Sequence, residues 1–261
     1  MKRSAIALAL ASLCILPYVT RAQFANAVLS YDRGTGFAAN FTNANAALGA
    51  PASGSSVTPF APPFSTSQLV SIGTGGWLTL QLGMPILDDA SHPFGIDFLI
   101  FGNSFFTITN GTGSSAITSG AIFSSSVSTR VQVSQDATSW FMLDPAMAPT
   151  VGTYFPTDGP GNPLLPVNPS FTAADFAGMN LSGVRSLYAG SAGGADYDLA
   201  WARDGAGNAV TLESISYVRI EVLSGRTQVD AIAVVPEPQA YALLALGTMV
   251  GVIGHQRKRP C

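Results

Sequence analysis

The sequence predicts an all-β fold, an antiparallel β-sandwich of jelly-roll type, and three observations carry that prediction. Apolar residues recur with period two in short runs, as at Leu78, Leu80 and Leu82 and again at Val218, Ile220 and Val222. Gly, Ser, Thr, Pro and Asn interrupt the chain every few residues between those runs. No long apolar stripe of period 3.6 intervenes, so helices have no extended face to bury. Many short strands joined by turns are accommodated best as two packed antiparallel sheets.

Each element follows from its own residues. Gly76 to Leu82 places three leucines on one face, and Tyr217 to Leu223 turns Arg219 and Glu221 outward. Arg130 to Ser134 repeats the pattern on a smaller scale. Ile96 to Phe101 is apolar on both faces, as a central strand covered on each side must be. Thr138 to Leu143 and Val229 to Val235 complete the set of expected strands. Asn103 to Ser128, rich in Ser, Thr and Gly, reads as a flexible hairpin insertion or a site of sugar attachment. Ala50 to Ser67 and the segment from Pro145 to Pro169, with its seven prolines, read as long loops. Such loops skirt a binding edge or wrap the surface, and wrapping is the expectation.

The two ends differ from the middle. Met1-Lys2-Arg3 and the apolar run Ala5 to Leu16 form the first two parts of an export signal. Thr20-Arg21-Ala22 then predicts cleavage between Ala22 and Gln23, with Ala25-Asn26-Ala27 as the second choice. Cys14 follows Leu13, where a lipoprotein signal needs a small residue. At the other end Pro236-Glu237-Pro238 precedes an uncharged run from Ala240 to Gly254, followed by His255 and the basic cluster Arg257, Lys258 and Arg259. The prolines predict an extended, exposed spacer. As a helix the run reaches about 22 Å, short of the hydrocarbon core of about 30 Å, but flanking residues extend it by snorkelling. Its basic end belongs in the cytoplasm.

This tail resembles the PEP-CTERM sorting signal of Gram-negative bacteria, with Pro236, Glu237 and Pro238 as the motif. The resemblance implies recognition and cleavage by a membrane-embedded exosortase after export. The chain is thus expected to divide into a signal peptide with its helix (1–22), a β-sandwich domain (23–234) and a sorting tail (235–261). Within the tail the motif occupies 236–238, a short transmembrane helix 240–254 and the basic end 255–259. The expected destination is the outer surface or extracellular matrix of such a bacterium, by way of transient anchoring in its inner membrane.

Composition narrows what the middle does. Between Gln23 and Val235 there are six arginines, no lysine and fourteen Asp or Glu, a net charge of −8. Such a domain binds nucleic acid poorly, because that affinity depends on neutralised phosphates. Both cysteines, Cys14 and Cys261, lie in the terminal signals, so packing or a metal must stand in for disulfides.

The middle also resembles a recurrent domain of bacterial cell-surface proteins often found with this tail. The resemblance rests on Ala47-Leu48-Gly49-Ala50-Pro51, Val70 to Leu80, Gly95 to Phe105, Val131 to Asp136, Phe176 to Asn180, Ala192 to Ala200 and Val229 to Ile232. It implies a secreted β-sandwich and carries no activity with it. Where relatives tend to have Glu before Asn, this chain has Gly102-Asn103.

Candidate chemistry is sparse. Asp97, Asn103, Asp196, Asp198 and Asp230 stand at strand ends or in Gly-rich turns, where oxygens converge as calcium requires. The competing reading is that they cap backbone donors. Trp77 and Trp201 flank Gly-rich turns and are the expected sugar-stacking rings, with Trp140, Tyr154 and Tyr188 in reserve. His92 is the single histidine between the signals and reads as an exposed turn residue, without a Gly-x-Ser-x-Gly elbow. The expectation is a non-enzymatic structural or adhesive protein associated with exopolysaccharide. A carbohydrate-binding module is the alternative, and a glycan-acting hydrolase a more distant one.

Overall fold

The computed structural model describes residues 23–123 and 126–236. The signal through Ala22, and the tail from Glu237 with Pro238, the 240–254 span and Arg257, Lys258 and Arg259, lie outside the described residues. Among the described residues no helix is long and apolar enough to cross a membrane.

Among the described residues there are twelve strands and one α-helix, besides five short 3-10 turns: β1 (Ala25–Asp32), β2 (Val70–Gly73), β3 (Trp77–Leu87), β4 (Phe98–Gly102), β5 (Phe105–Asn110), β6 (Ile117–Phe123), β7 (Ser128–Ser134), β8 (Phe141–Leu143), α1 (Leu181–Tyr188), β9 (Ala195–Tyr197), β10 (Ala202–Arg203), β11 (Ser214–Ser224) and β12 (Arg226–Val234). All pairings between them are antiparallel. They form a six-stranded sheet ordered β1-β3-β11-β7-β8-β10, a four-stranded sheet ordered β2-β12-β4-β9, and the β5-β6 hairpin.

One apolar cluster joins the two larger sheets. Leu78, Leu80, Leu82, Val131, Val133, Val218, Ile220 and Val222 come from the six-stranded sheet and meet Val70, Ile72, Phe98, Ile100, Val229, Ile232 and Val234 from the other. Burying each such aliphatic side chain contributes about 1.5–3 kcal/mol. Alternation along β3 and β11 therefore leaves one face of the six-stranded sheet for solvent, as the period-two pattern requires. The alternate residues of β4, Leu99 and Phe101, pack with Ile96, Ala231 and Ala233 in a second cluster on the far face. Strand β4 is thus covered on both sides.

The proline-rich segment wraps rather than projects. Phe155 and Val167 are buried in a third cluster with Phe106, Phe176, Val184 and Tyr188. Helix α1 supplies Val184 and Tyr188 from one face. The Asn180 side chain caps it by accepting from the Gly183 amide at 2.9 Å. Eight residues with two apolar anchors are too short for a helical period to show in the sequence. The predicted strand from Thr138 shrinks to Phe141–Leu143, because Asp136 Oδ1 accepts from the Thr138 and Ser139 amides at 2.8 Å and folds that stretch into a turn.

Both ends of the domain leave from one pole. The Val234 amide donates to the Gln23 carbonyl at 2.8 Å, and the Val235 amide to the Asp97 carbonyl at 2.9 Å. Pro236 is buried there, which corrects the expectation of an exposed spacer at that residue. The opposite pole is built from turns whose backbones touch. A Cβ added at Gly73 would lie 2.2 Å from the Thr35 carbonyl oxygen.

Candidate functional site

Two places gather polar chemistry, a trough on the outer face of the six-stranded sheet and a buried acid–histidine group near the pole of the termini.

The trough follows from strand register. Trp77 is opposite Glu221, which is opposite Arg130. One row along, Thr79, Arg219, Gln132, Met142 and Arg203 stand side by side on five successive strands. All of these residues alternate with the buried aliphatics and so share the outer face of the sheet, where Thr79 is itself covered. Trp77 is 36% exposed. Its indole Nε1 donates to Ser30 Oγ at 3.2 Å, and Ser30 Oγ donates to Thr79 Oγ1 at 3.0 Å. Thr79 Oγ1 also accepts from Arg219 Nε at 3.0 Å.

The Arg219 guanidinium carbon lies over the half-buried Trp140 ring, 4.1 Å from its centre, well inside cation–π range. Arg130 pairs with Glu221 at 3.2 Å, and Arg203 with Asp144 at 3.1 Å. A depression lined by Ser30, Trp77, Gln132, Arg219 and Glu221 shares Gln132 with a second one beside Arg130, Trp140 and Arg203. An exposed indole, a rigid guanidinium and an amide on one surface can stack on a sugar ring and bond its hydroxyls.

No protein-family model matches the chain, and no curated protein matches it.

The second place holds part of the predicted calcium set. One carboxylate oxygen each from Asp88, Asp97 and Asp198 lies within 4.8 Å of the others. Asp97 is fully buried and its oxygens are engaged: Oδ1 is 2.8 Å from His92 Nδ1 and accepts from the Asp89 amide at 3.3 Å, and Oδ2 accepts from the Leu199 amide at 2.8 Å. Asp198 Oδ1 accepts from the Ala200 amide at 2.7 Å. Burial raises the carboxyls of Asp88 and Asp198, and neighbouring Asp97 raises both further. All three acids offer hard oxygens of the kind calcium takes, but calcium needs six to eight, and Asp97 already serves three donors. His92 is 4% exposed, which corrects its reading as an exposed turn residue. Folding Asp88–Asp97 against the turn at Asp198 encloses the ring.

The other predicted ligands are elsewhere, so the five do not form one site. Asn103 Nδ2 donates to Gln228 Oε1, beside a cleft lined by Phe105, Phe123 and Arg226. Asp230 Oδ2 accepts from the Ala52 amide at 2.8 Å, and burial pushes its carboxyl up to about 7. Asp196 is 3% exposed, neither carboxylate oxygen has a hydrogen-bond partner among the described residues, and burial pushes it up to about 8.

The aromatic predictions divide too. Trp77 lies in the trough, whereas Trp201 is half-buried and packs against the first two clusters, away from it. Tyr188 is buried, its hydroxyl donating to the Pro156 carbonyl at 2.8 Å. Period-two alternation turns Arg219 and Glu221 outward but does not join them to Trp77. Alternation marks which residues face out, while the partner across the sheet depends on register.

Proposed function

We propose that this chain is an exported, non-enzymatic surface protein that holds polysaccharide on the outer face of its six-stranded sheet. The observation that carries this reading is Trp77, an exposed indole beside Arg219, Gln132 and Glu221 on a shared trough. Exposed aromatic rings next to planar hydrogen-bonding groups suit the alternating apolar faces and hydroxyl edges of sugars. Trp77 opens β3 beside the end of β1, so it stands toward the pole opposite the termini. A domain tethered by its tail would present that end outward.

The jelly-roll-like sandwich serves here as a rigid support. Its delivery is assigned to the secretion machinery and an exosortase, acting on the signal peptide and on the tail around Pro236, Glu237 and Pro238. Cleavage before Gln23 leaves β1 whole, whereas cleavage after Ala27 would remove Ala25, which is buried in the core. The mature protein then belongs to the outer surface or extracellular matrix. Adhesive protein and carbohydrate-binding module are two uses of this same face.

Affinity electrophoresis through gels containing different polysaccharides tests the binding. Retardation by at least one of them, lost on removing the Trp77 ring, supports the proposal; unchanged mobility in all of them counts against it. Mass spectrometry of membrane, matrix and medium fractions tests delivery. Mature protein beginning at Gln23 and lacking Arg257, Lys258 and Arg259 is the expected product.

A further inference from the structure

We propose that the trough selects acidic polysaccharides, and that Arg219 is the residue that reads the sugar carboxylate. This inference rests on the reading of the sheet face as a glycan site and names the class of glycan.

Charge is spread unevenly over the domain. Between Gln23 and Val235 acids outnumber arginines fourteen to six, yet three of the six arginines, Arg130, Arg203 and Arg219, line the trough against two acids, Glu221 and Asp204. Two of these arginines have acidic partners, Glu221 and Asp144. No carboxylate pairs with Arg219 among the described residues. It is nevertheless held in place. Nε is engaged by Thr79 Oγ1 on one side, and the guanidinium carbon sits over the Trp140 ring on the other.

A guanidinium held at these two points has lost much of its conformational freedom, and its two terminal nitrogens have no hydrogen-bond or ion-pair partner among the described residues. Together they form a fork that matches the two oxygens of a carboxylate. The Trp77 ring lines the same depression, so one sugar can stack on the indole while the carboxylate of that sugar or the next meets Arg219. A uronic-acid polymer presents this combination of ring face and carboxylate. The acidic remainder of the domain repels such a polymer and leaves the trough as the favoured place for it.

The test compares polygalacturonate with its carboxyl-reduced form, a polymer of the same linkage without the charge. Dissociation constants are measured for the wild type and for the Arg219→Gln and Arg219→Lys variants, with a thermal melt of each as a folding control. The wild type should prefer the carboxylated polymer by about tenfold, the effect of one charge-assisted bidentate contact. Arg219→Gln should reduce that preference to about twofold, and Arg219→Lys should recover little of it, because a lysine keeps the charge but not the fork. Equal binding of both polymers by the wild type would overturn the carboxylate inference and leave the glycan reading standing. Binding confined to neutral polysaccharides would do the same. A protein bound by none of them would lose both.

Discussion

His92 Nδ1 lies 2.8 Å from Asp97 Oδ1, and both side chains are shut away from solvent. Asp97 also receives the amides of Asp89 and Leu199, so one carboxylate ties the end of the β3–β4 connection to the turn that follows β9. Replacing it removes acceptors from several buried donors at once. Asp97→Asn is expected to cost about 3 kcal/mol, read as a lowered midpoint in urea unfolding; a loss below 1 kcal/mol would show that the group is not structural.

Chelation should do little to this group. Asp97 is satisfied by protein donors, so EDTA is expected to leave the melting temperature unchanged within error. A drop of several degrees, reversed by calcium and absent in Asp88→Asn, would instead assign an ion to Asp88, Asp97 and Asp198.

Stability should respond to pH through Asp196 and Asp230. Burial holds both carboxyls protonated in the fold, up to about 8 and about 7. The unfolded chain releases the same protons near the ordinary value of 3.8. The folded state therefore binds more protons across that window, and this contribution to stability declines as pH rises through it. Relative to Asp196→Asn, the wild-type melting temperature is expected to fall by roughly 5 °C or more between pH 5 and pH 8. Parallel curves for the two proteins would refute the assignment.

The pole opposite the termini depends on missing side chains. Gly73→Ala would drive a Cβ to 2.2 Å from the Thr35 carbonyl oxygen and 2.7 Å from the Phe37 amide nitrogen. A loss of roughly 3 kcal/mol is expected from forced backbone displacement. Gly36→Ala, where φ is +76° but the space is open, should lose only about 1 kcal/mol. Denaturant melts of the pair separate crowding from backbone strain.

Trp77→Ala separates binding from folding. The indole is exposed and makes one hydrogen bond, to Ser30, so its loss should change stability by about 1 kcal/mol or less. Polysaccharide binding should weaken about tenfold or more, as for other aromatic anchors. Retention unchanged in the affinity gel would remove Trp77 from the site.

The sequence by itself determined the all-β class and most of the strands. Period-two alternation at Leu78–Leu82 and Val218–Val222 is a local consequence of burying one face of a sheet, and it needs no knowledge of the partner strand. The doubly apolar run at Phe98–Phe101 likewise announced a strand covered on both sides. Only the tertiary structure decided what meets what. His92 looked like a turn residue because its neighbours are polar, and its burial comes from Asp97 and a turn about a hundred residues away. Register brought Trp77, Arg219 and Gln132 onto one surface, and packing left Asp196 and Asp230 outside the group of Asp88, Asp97 and Asp198. Pairing across a sheet is set by long-range packing, which local composition does not encode.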